Sequence, residues 1–187
     1  MPGGHARFIG REAQGIEAVR AAVHDQLTAG AEVIKVIASG GVLTPGTSPD
    51  EAQMTVEELR AAVEVAAAHG RHVAAHAHGA SGMKNALRAG VHSIEHATLM
   101  DEEAAGLMTQ RGVYMVPTLS ALATTAACPT GCGIPDSARS KAKNMVRQHE
   151  KSFRAAVRRG VPIALGTDAG TPFNYHGDNA QELERMV

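Results

Sequence analysis

The sequence predicts an α/β fold: a partial (β/α)8 TIM barrel of parallel strands with flanking helices. Three observations point there. Short apolar, β-branched runs alternate with amphipathic stretches of helical period, and glycine stands repeatedly where a helix ends. The residues able to do chemistry fall near the C-terminal ends of the strands, where barrel active sites are built. The third is length. The chain's 187 residues give one sizeable core but fall short of the roughly 250 that eight βα units need, which leaves about five units. A doubly wound sheet shares the alternation, and only the position of the chemical residues separates the two.

The first helix is expected over 11–29, with Ile16, Val19, Ala22, Val23 and Leu27 on one face and Gly30 as its stop. A strand over 33–38 follows. Thr55 then serves as N-cap of a helix over 55–69, and Glu58 three residues on completes a capping box. Strand 72–78 leads to a short helix over 81–89 ended by Gly90, and strand 91–96 to a helix over 101–111 ended by Gly112. Strand 113–119 runs into a Pro/Gly-rich loop, and a long helix is expected over 136–159. The last strand is 162–167, and a further helix begins at Asn179.

Composition removes several classes of function. The 18 basic and 19 acidic residues are interspersed and leave a net charge of −1, so no electrostatic footprint suggests nucleic acid or an anionic membrane. No apolar run reaches membrane-spanning length, and Met1-Pro2-Gly3-Gly4-His5 has no signal-peptide core, so a cytoplasmic protein is expected. Tryptophan is absent and aromatics make up 3%, so the core must be built from Ala, Val, Ile, Leu and Met. Cys128 and Cys132 have C-x3-C spacing with no second Cys or His pair nearby, which argues against a structural zinc site. In a reducing cytoplasm they are expected as free thiols rather than as a loop disulfide.

Lys35 stands in the middle of the apolar strand Val33-Ile34-Lys35-Val36-Ile37-Ala38. Lysine is almost never fully buried unless paired. One reading is a side chain snorkelling off an edge strand; the other is a functional amine. Three later strands each deliver a residue able to ligate a metal. His76 and His78 sit at i and i+2 in Val73-Ala74-Ala75-His76-Ala77-His78-Gly79 and so share a strand face. His96 ends Ser93-Ile94-Glu95-His96, and Asp168 ends Leu165-Gly166-Thr167-Asp168. Imidazole and carboxylate suit Zn²⁺.

In these four segments, taken in order, the sequence resembles the amidohydrolase superfamily, in the branch of Xaa-Pro dipeptidases, arginine/lysine carboxypeptidases and imidazolonepropionase-like proteins. The resemblance covers nearly the whole chain. It implies one partial barrel domain over 1–187, truncated at both ends and supplying the barrel's strands four to eight. It further implies that Lys35 is a carbamylated lysine bridging two metal ions, that His76 and His96 are ligands, and that Asp168 is both ligand and general base. A desolvated amine is biased toward its neutral form, which can take up CO₂. Two cations about 3.5–4 Å apart polarise an amide carbonyl and hold hydroxide at neutral pH. The reaction implied is metal-dependent hydrolysis of a C–N bond in a dipeptide or acyl-amino acid, with Asp168 taking the proton from water and passing it to the leaving amine.

The family's first-strand HxH pair precedes the lysine. His76-Ala77-His78 has the same form but follows Lys35, so His76 is read as the ligand and His78 as second to it or facing substrate. A first-strand pair has no counterpart in this sequence, which keeps open a second reading: a chain without catalytic activity, holding at most one metal. His5 and His176 lie on loops where substrate contacts are expected. His92 is expected as a hydrogen-bonded interior residue, His24 and His149 as solvated helix positions, and Tyr114 as packed at the start of its strand. Ser39-Gly40-Gly41 offers backbone N–H groups to a substrate carboxylate or forms a simple turn, and Asp168 has the alternative of capping a helix. An open sheet with unpaired edges favours homo-oligomers.

Overall fold

A computed structural model describes residues 3–187; Met1 and Pro2, at the head of the segment read for a signal peptide, lie outside the described residues. The elements run α1 (Ile16–Thr28), β1 (Val33–Ile37), α2 (Val56–Ala68), β2 (His72–Gly79), α3 (Ala80–Ala89), β3 (Ser93–Leu99), α4 (Glu102–Arg111), β4 (Tyr114–Val116), α5 (Leu119–Ala127), α6 (Asp136–Arg158) and α7 (Ala180–Met186). The four strands form one parallel sheet in the order β1-β2-β3-β4. Each is connected to the next through at least one helix, as the alternation predicts. None of the described helices is long and apolar enough to cross a membrane.

Strand alternation divides the sheet into two faces. Ile34, Val36, Val73, Ala75, Ala77, Ile94 and Met115 are buried, and they pack with Val19, Leu59, Met83, Leu87 and Met108 of the helices into one core. The alternate residues Val33, Lys35, Ala74, Ser93, Glu95 and Tyr114 face the barrel's inner side and are less buried. Sheet-facing-helix is therefore dry, and the concave face is open. Tyr114 is 51% exposed rather than packed, because it sits on that concave side.

Local chemistry explains the element ends. Thr55 Oγ1 accepts from Glu58 N–H (3.2 Å) and Glu58 Oε2 accepts from Thr55 N–H (2.9 Å), which is the capping box that the spacing predicts. Glu58 Oε1 also accepts from Gly15 N–H (2.7 Å), pinning the residue before α1. That tie explains why α1 begins at Ile16 rather than at Arg11. Thr55→Ala is expected to cost about 1 kcal/mol, read as a lower urea midpoint at unchanged slope.

Three expectations are corrected. Leu119–Ala127 is helix α5, not the end of a strand and a loop. Its threonines are weak helix formers, and Thr124 and Thr125 donate back to the carbonyls of Ser120 (2.9 Å) and Ala121 (2.8 Å). The segment 162–167 forms only a parallel bridge, in which Met115 N–H donates to Pro162 O (2.8 Å) and Ala164 N–H to Met115 O (2.9 Å). It has a partner on one side only, and Pro162 has no N–H to extend the ladder. Cys128 and Cys132 are joined as a disulfide, with Cα atoms 6.2 Å apart, a separation within reach of the bridge.

Candidate metal centre

The C-terminal ends of the strands converge on a cavity of about 460 Å³, lined among others by His5, Lys35, His76, His78, His96 and Asp168. His76, His78 and His96 are all buried, and their ligand-capable nitrogens lie within 4.8 Å of one another. The His78 and His96 rings stack with centroids 4.6 Å apart, and His76 stands edge-on to both.

His76 and His78 reach this point by simple alternation along β2. His96 does not. By strand parity it shares the side of Ile94, which is turned to the helices. Instead His96 and Ala97 adopt left-handed backbone, φ 74° and 50°, and the β2–β3 register shifts beyond Ala77. This bulge turns the His96 ring into the mouth. Thr118 (φ 51°) and Asp168 (φ 54°), both lining the same cavity, are also left-handed. Strain in non-glycine residues thus gathers at one place.

The outer nitrogens are tied to protein oxygens. His76 Nε2 donates to Gly40 O (3.3 Å), so its Nδ1 is a lone pair, and this Nδ1 lies 2.9 Å from His96 Nε2. Two ring nitrogens so close need a shared proton or a shared cation. Thr118 Oγ1, 2.6 Å from His96 Nδ1, serves both cases: donating, it leaves the proton on Nε2; accepting, it frees Nε2. Thr98 Oγ1 stands in the same relation to His78 Nδ1, at 2.8 Å. Burial, above all, holds His76 neutral with a pKa of about 3, and pushes His78 and His96 well below the usual histidine value. Neutral imidazoles with one nitrogen fixed are a donor set that fits Zn²⁺ or a similar ion.

Lys35 lies on the edge strand β1, its side chain 47% exposed, with Nζ 3.9 Å from Glu95 Oε2. Crowding by the protein lowers its pKa, against the opposing pull of Glu95 and Asp168. Burial likewise raises the Asp168 carboxyl, opposed by Lys35 and reinforced by Glu95. Asp168 caps no helix; its carbonyl accepts from the Thr171 hydroxyl (2.9 Å), and Asn174 Nδ2 holds the turn by donating to Thr167 O (2.7 Å). His5 sits over His76 with ring centroids 4.4 Å apart and Nδ1 2.7 Å from Thr44 Oγ1. A Cβ on Gly41 would lie 2.0 Å from His5 Nδ1, so only glycine leaves room for that ring. His176 is exposed on the loop after Asp168 and is not among the residues lining the cavity.

Other expectations fare less well. Gly40 N–H donates to Glu51 O (3.0 Å) and Gly41 N–H to Thr47 Oγ1 (3.2 Å), so neither is free for a substrate carboxylate. His92 is exposed, although its Nδ1 does accept from Val73 N–H at 3.1 Å. His149 is buried at 1% exposure, not solvated, and its Nε2 donates to His96 O at 2.9 Å. Ser152, one turn on, donates to Thr98 O at 2.9 Å. β4 pairs with β3 only over Ser93–Glu95, so these side chains of α6 satisfy carbonyls that have no strand partner.

A sequence profile of the amidohydrolase family matches residues 6–187. The chain belongs to the amidohydrolase family. Ochratoxinase of Aspergillus niger is 42% identical over 175 residues, covering 94% of this chain and 35% of its own length. Among solved structures, a Xaa-Pro dipeptidase with methionine bound in its active site superposes with a TM-score of 0.90 at 40% identity, over 100% of this chain and 49% of that one. A putative prolidase from Bifidobacterium longum gives a TM-score of 0.81 at 35% identity, over 90% of this chain and 42% of that one. The chain thus spans about a third of the ochratoxinase and about half of the dipeptidase. Family and relatives place this amidohydrolase among hydrolases, with a partial barrel fold.

The sequence singles out neither Glu95, Thr118 nor Glu182, and it reads the buried His149 as solvated. Glu95 carries the same signal as Lys35, a charge within a buried strand, and was there to be read. The other three act through folded contacts with no local signature.

Proposed function

We propose that this amidohydrolase chain carries the metal-binding half of an enzyme that hydrolyses the C–N bond of a dipeptide or an N-acyl amino acid. The supporting observation is the convergence of His76, His78 and His96, nitrogens within 4.8 Å, beside Lys35 and Asp168 in one cavity. The three histidines would hold a divalent ion, zinc being the best match to imidazole donors. Such an ion supplies Lewis acidity toward a carbonyl oxygen and toward water.

Everything else falls to the side chains. Asp168, its carboxyl pushed up by burial, is suited to accept a proton from water and return it to the leaving nitrogen. Lys35, its amine pushed toward neutrality, is the residue on which CO₂ would condense, with release of a proton, to a carbamate that would add oxygen donors to the ligand set. Val42, Leu43 and Leu122 give the cavity an apolar wall that suits the side chain of an acylated or apolar amino acid. Lys141 ties down the loop bearing Val42 and Leu43 by donating to Thr47 O at 2.7 Å.

The chain is expected to retain about one zinc ion after growth with zinc and bicarbonate, measured by mass spectrometry, and to release amine from N-acyl amino acids or dipeptides. Protein that retains no zinc overturns the reading. A second reading, metal binding without turnover, is favoured by the fact that all three histidines come from this chain alone. Zinc retained with no amine released would select it.

A further inference from the structure

Glu182, on α7, is fully buried at 0% exposure, and among the described residues no cation pairs with it. Its two carboxylate oxygens accept from the backbone N–H groups of Leu119 (2.7 Å) and Ser120 (2.8 Å), in the first turn of α5. Carboxylates commonly satisfy a helix N-terminus, where orphan N–H groups and the helix dipole both favour negative charge. The usual source is local, the N-cap side chain itself. Here the N-cap is Thr118, a residue type well able to cap, yet its side chain makes no capping bond. Its hydroxyl is turned to His96 Nδ1 instead, at 2.6 Å.

The cap that Thr118 gives up is thus supplied from more than sixty positions downstream. Thr118 also needs holding, since a β-branched residue at φ 51° occupies backbone that it does not favour. Glu182 anchors the two residues that follow it. Resting on the reading that His76, His78 and His96 hold a metal ion, we propose that Glu182 is a positioning residue for that centre. It fixes the first turn of α5 so that Thr118 Oγ1 meets His96 Nδ1 and the opposite nitrogen faces His76. It touches neither substrate nor ion.

The test is cobalt(II) loading of the wild-type chain and Glu182→Gln, followed by visible absorption, with zinc affinity measured by chelator competition. Gln keeps the shape but sets an NH₂ against one of the two N–H groups. The expected result is a folded variant, judged by circular dichroism, whose cobalt bands shift in position or intensity. Its zinc affinity is expected to fall about 10–100-fold, the loss typical when a group that orients a ligand is removed. A residue that only caps α5 would lower the melting temperature and leave bands and affinity unchanged, and that outcome overturns the proposal. Should E182Q not fold, Glu182→Asp, which keeps the charge but withdraws it by one methylene, carries the same readout. Thr118→Val closes a double-mutant cycle. If Glu182 acts through Thr118, the double variant binds zinc no more weakly than T118V alone; additive losses overturn the proposal. Wild-type protein that takes up no cobalt overturns the metal reading and this proposal together, whereas a loaded wild type with an unaltered variant overturns this proposal alone.

Discussion

Replacing His96 by asparagine is expected to lower zinc affinity by more than about 100-fold while leaving the chain folded. That is beyond the about 10–100-fold loss that follows removal of a group merely orienting a ligand. His96 contacts both other members of the cluster: Nε2 lies 2.9 Å from His76 Nδ1, and its ring stacks on His78. Its loss therefore takes away one ligand and the neighbour that orders the other two. Asparagine is the informative replacement because it tolerates the left-handed backbone that His96 adopts at φ 74°. Alanine would add strain at the bulge and confuse loss of a ligand with loss of structure. Chelator competition reads the affinity, and a urea transition of the metal-free protein checks the fold. An asparagine variant binding zinc within a few-fold of wild type would remove His96 from the ligand set.

The metal-free protein is expected to lose stability steeply on acidification from pH 6.5 toward 4. His149, on the buried face of α6 and donating to His96 O, has its pKa pushed down to about 4, chiefly by burial. In the unfolded chain it titrates near 6.5. Between those values the unfolded state binds the extra proton and the folded state does not, so stability rises with pH across the window and falls as acid is added. The full shift is worth on the order of 3 kcal/mol, and about 2 kcal/mol of it is lost between pH 7 and pH 5. Buried neutral His76, His78 and His96 act in the same direction. Urea midpoints at pH 7 and 5 measure the effect. His149→Gln, which keeps a donor for the His96 carbonyl but cannot titrate, should flatten the dependence by about one proton. An unchanged slope in that variant would mean His149 is not among the groups responsible.

The frame of this molecule was legible because its signals are local. Thr55 and Glu58 cap α2 by proximity along the chain, and the helices end at Gly90 and Gly112 in left-handed conformation, where those glycines stand. Period-two alternation placed His76 and His78 on one face of β2, and the structure brings them together with His96, Lys35 and Asp168. Where the chain departs from regular geometry, the reading lost its grip. Parity along β3 sends His96 to the helix side, and only two consecutive left-handed residues reverse it. His149 reads as a solvated helix position because its partner is a carbonyl on another element, left bare where β4 is too short. Glu182 looks like any surface acid of a short helix until α5, itself unrecognised, closes over it.

The two bonds from α6 to β3 set a condition on movement. His149 and Ser152 are three residues apart on a helix, an advance of about 4.5 Å. The carbonyls they meet, those of His96 and Thr98, are two apart on a strand, where the natural step is about 6.6 Å. Helix and bulged strand therefore work like two scales of unequal division that coincide at one setting. Slipping α6 by a single residue means about 1.5 Å of travel with about 100° of rotation, and both bonds break at once. A slip of that kind would leave the carbonyls of His96 and Thr98 without these two partners together, on the strand segment that carries the His96 ring.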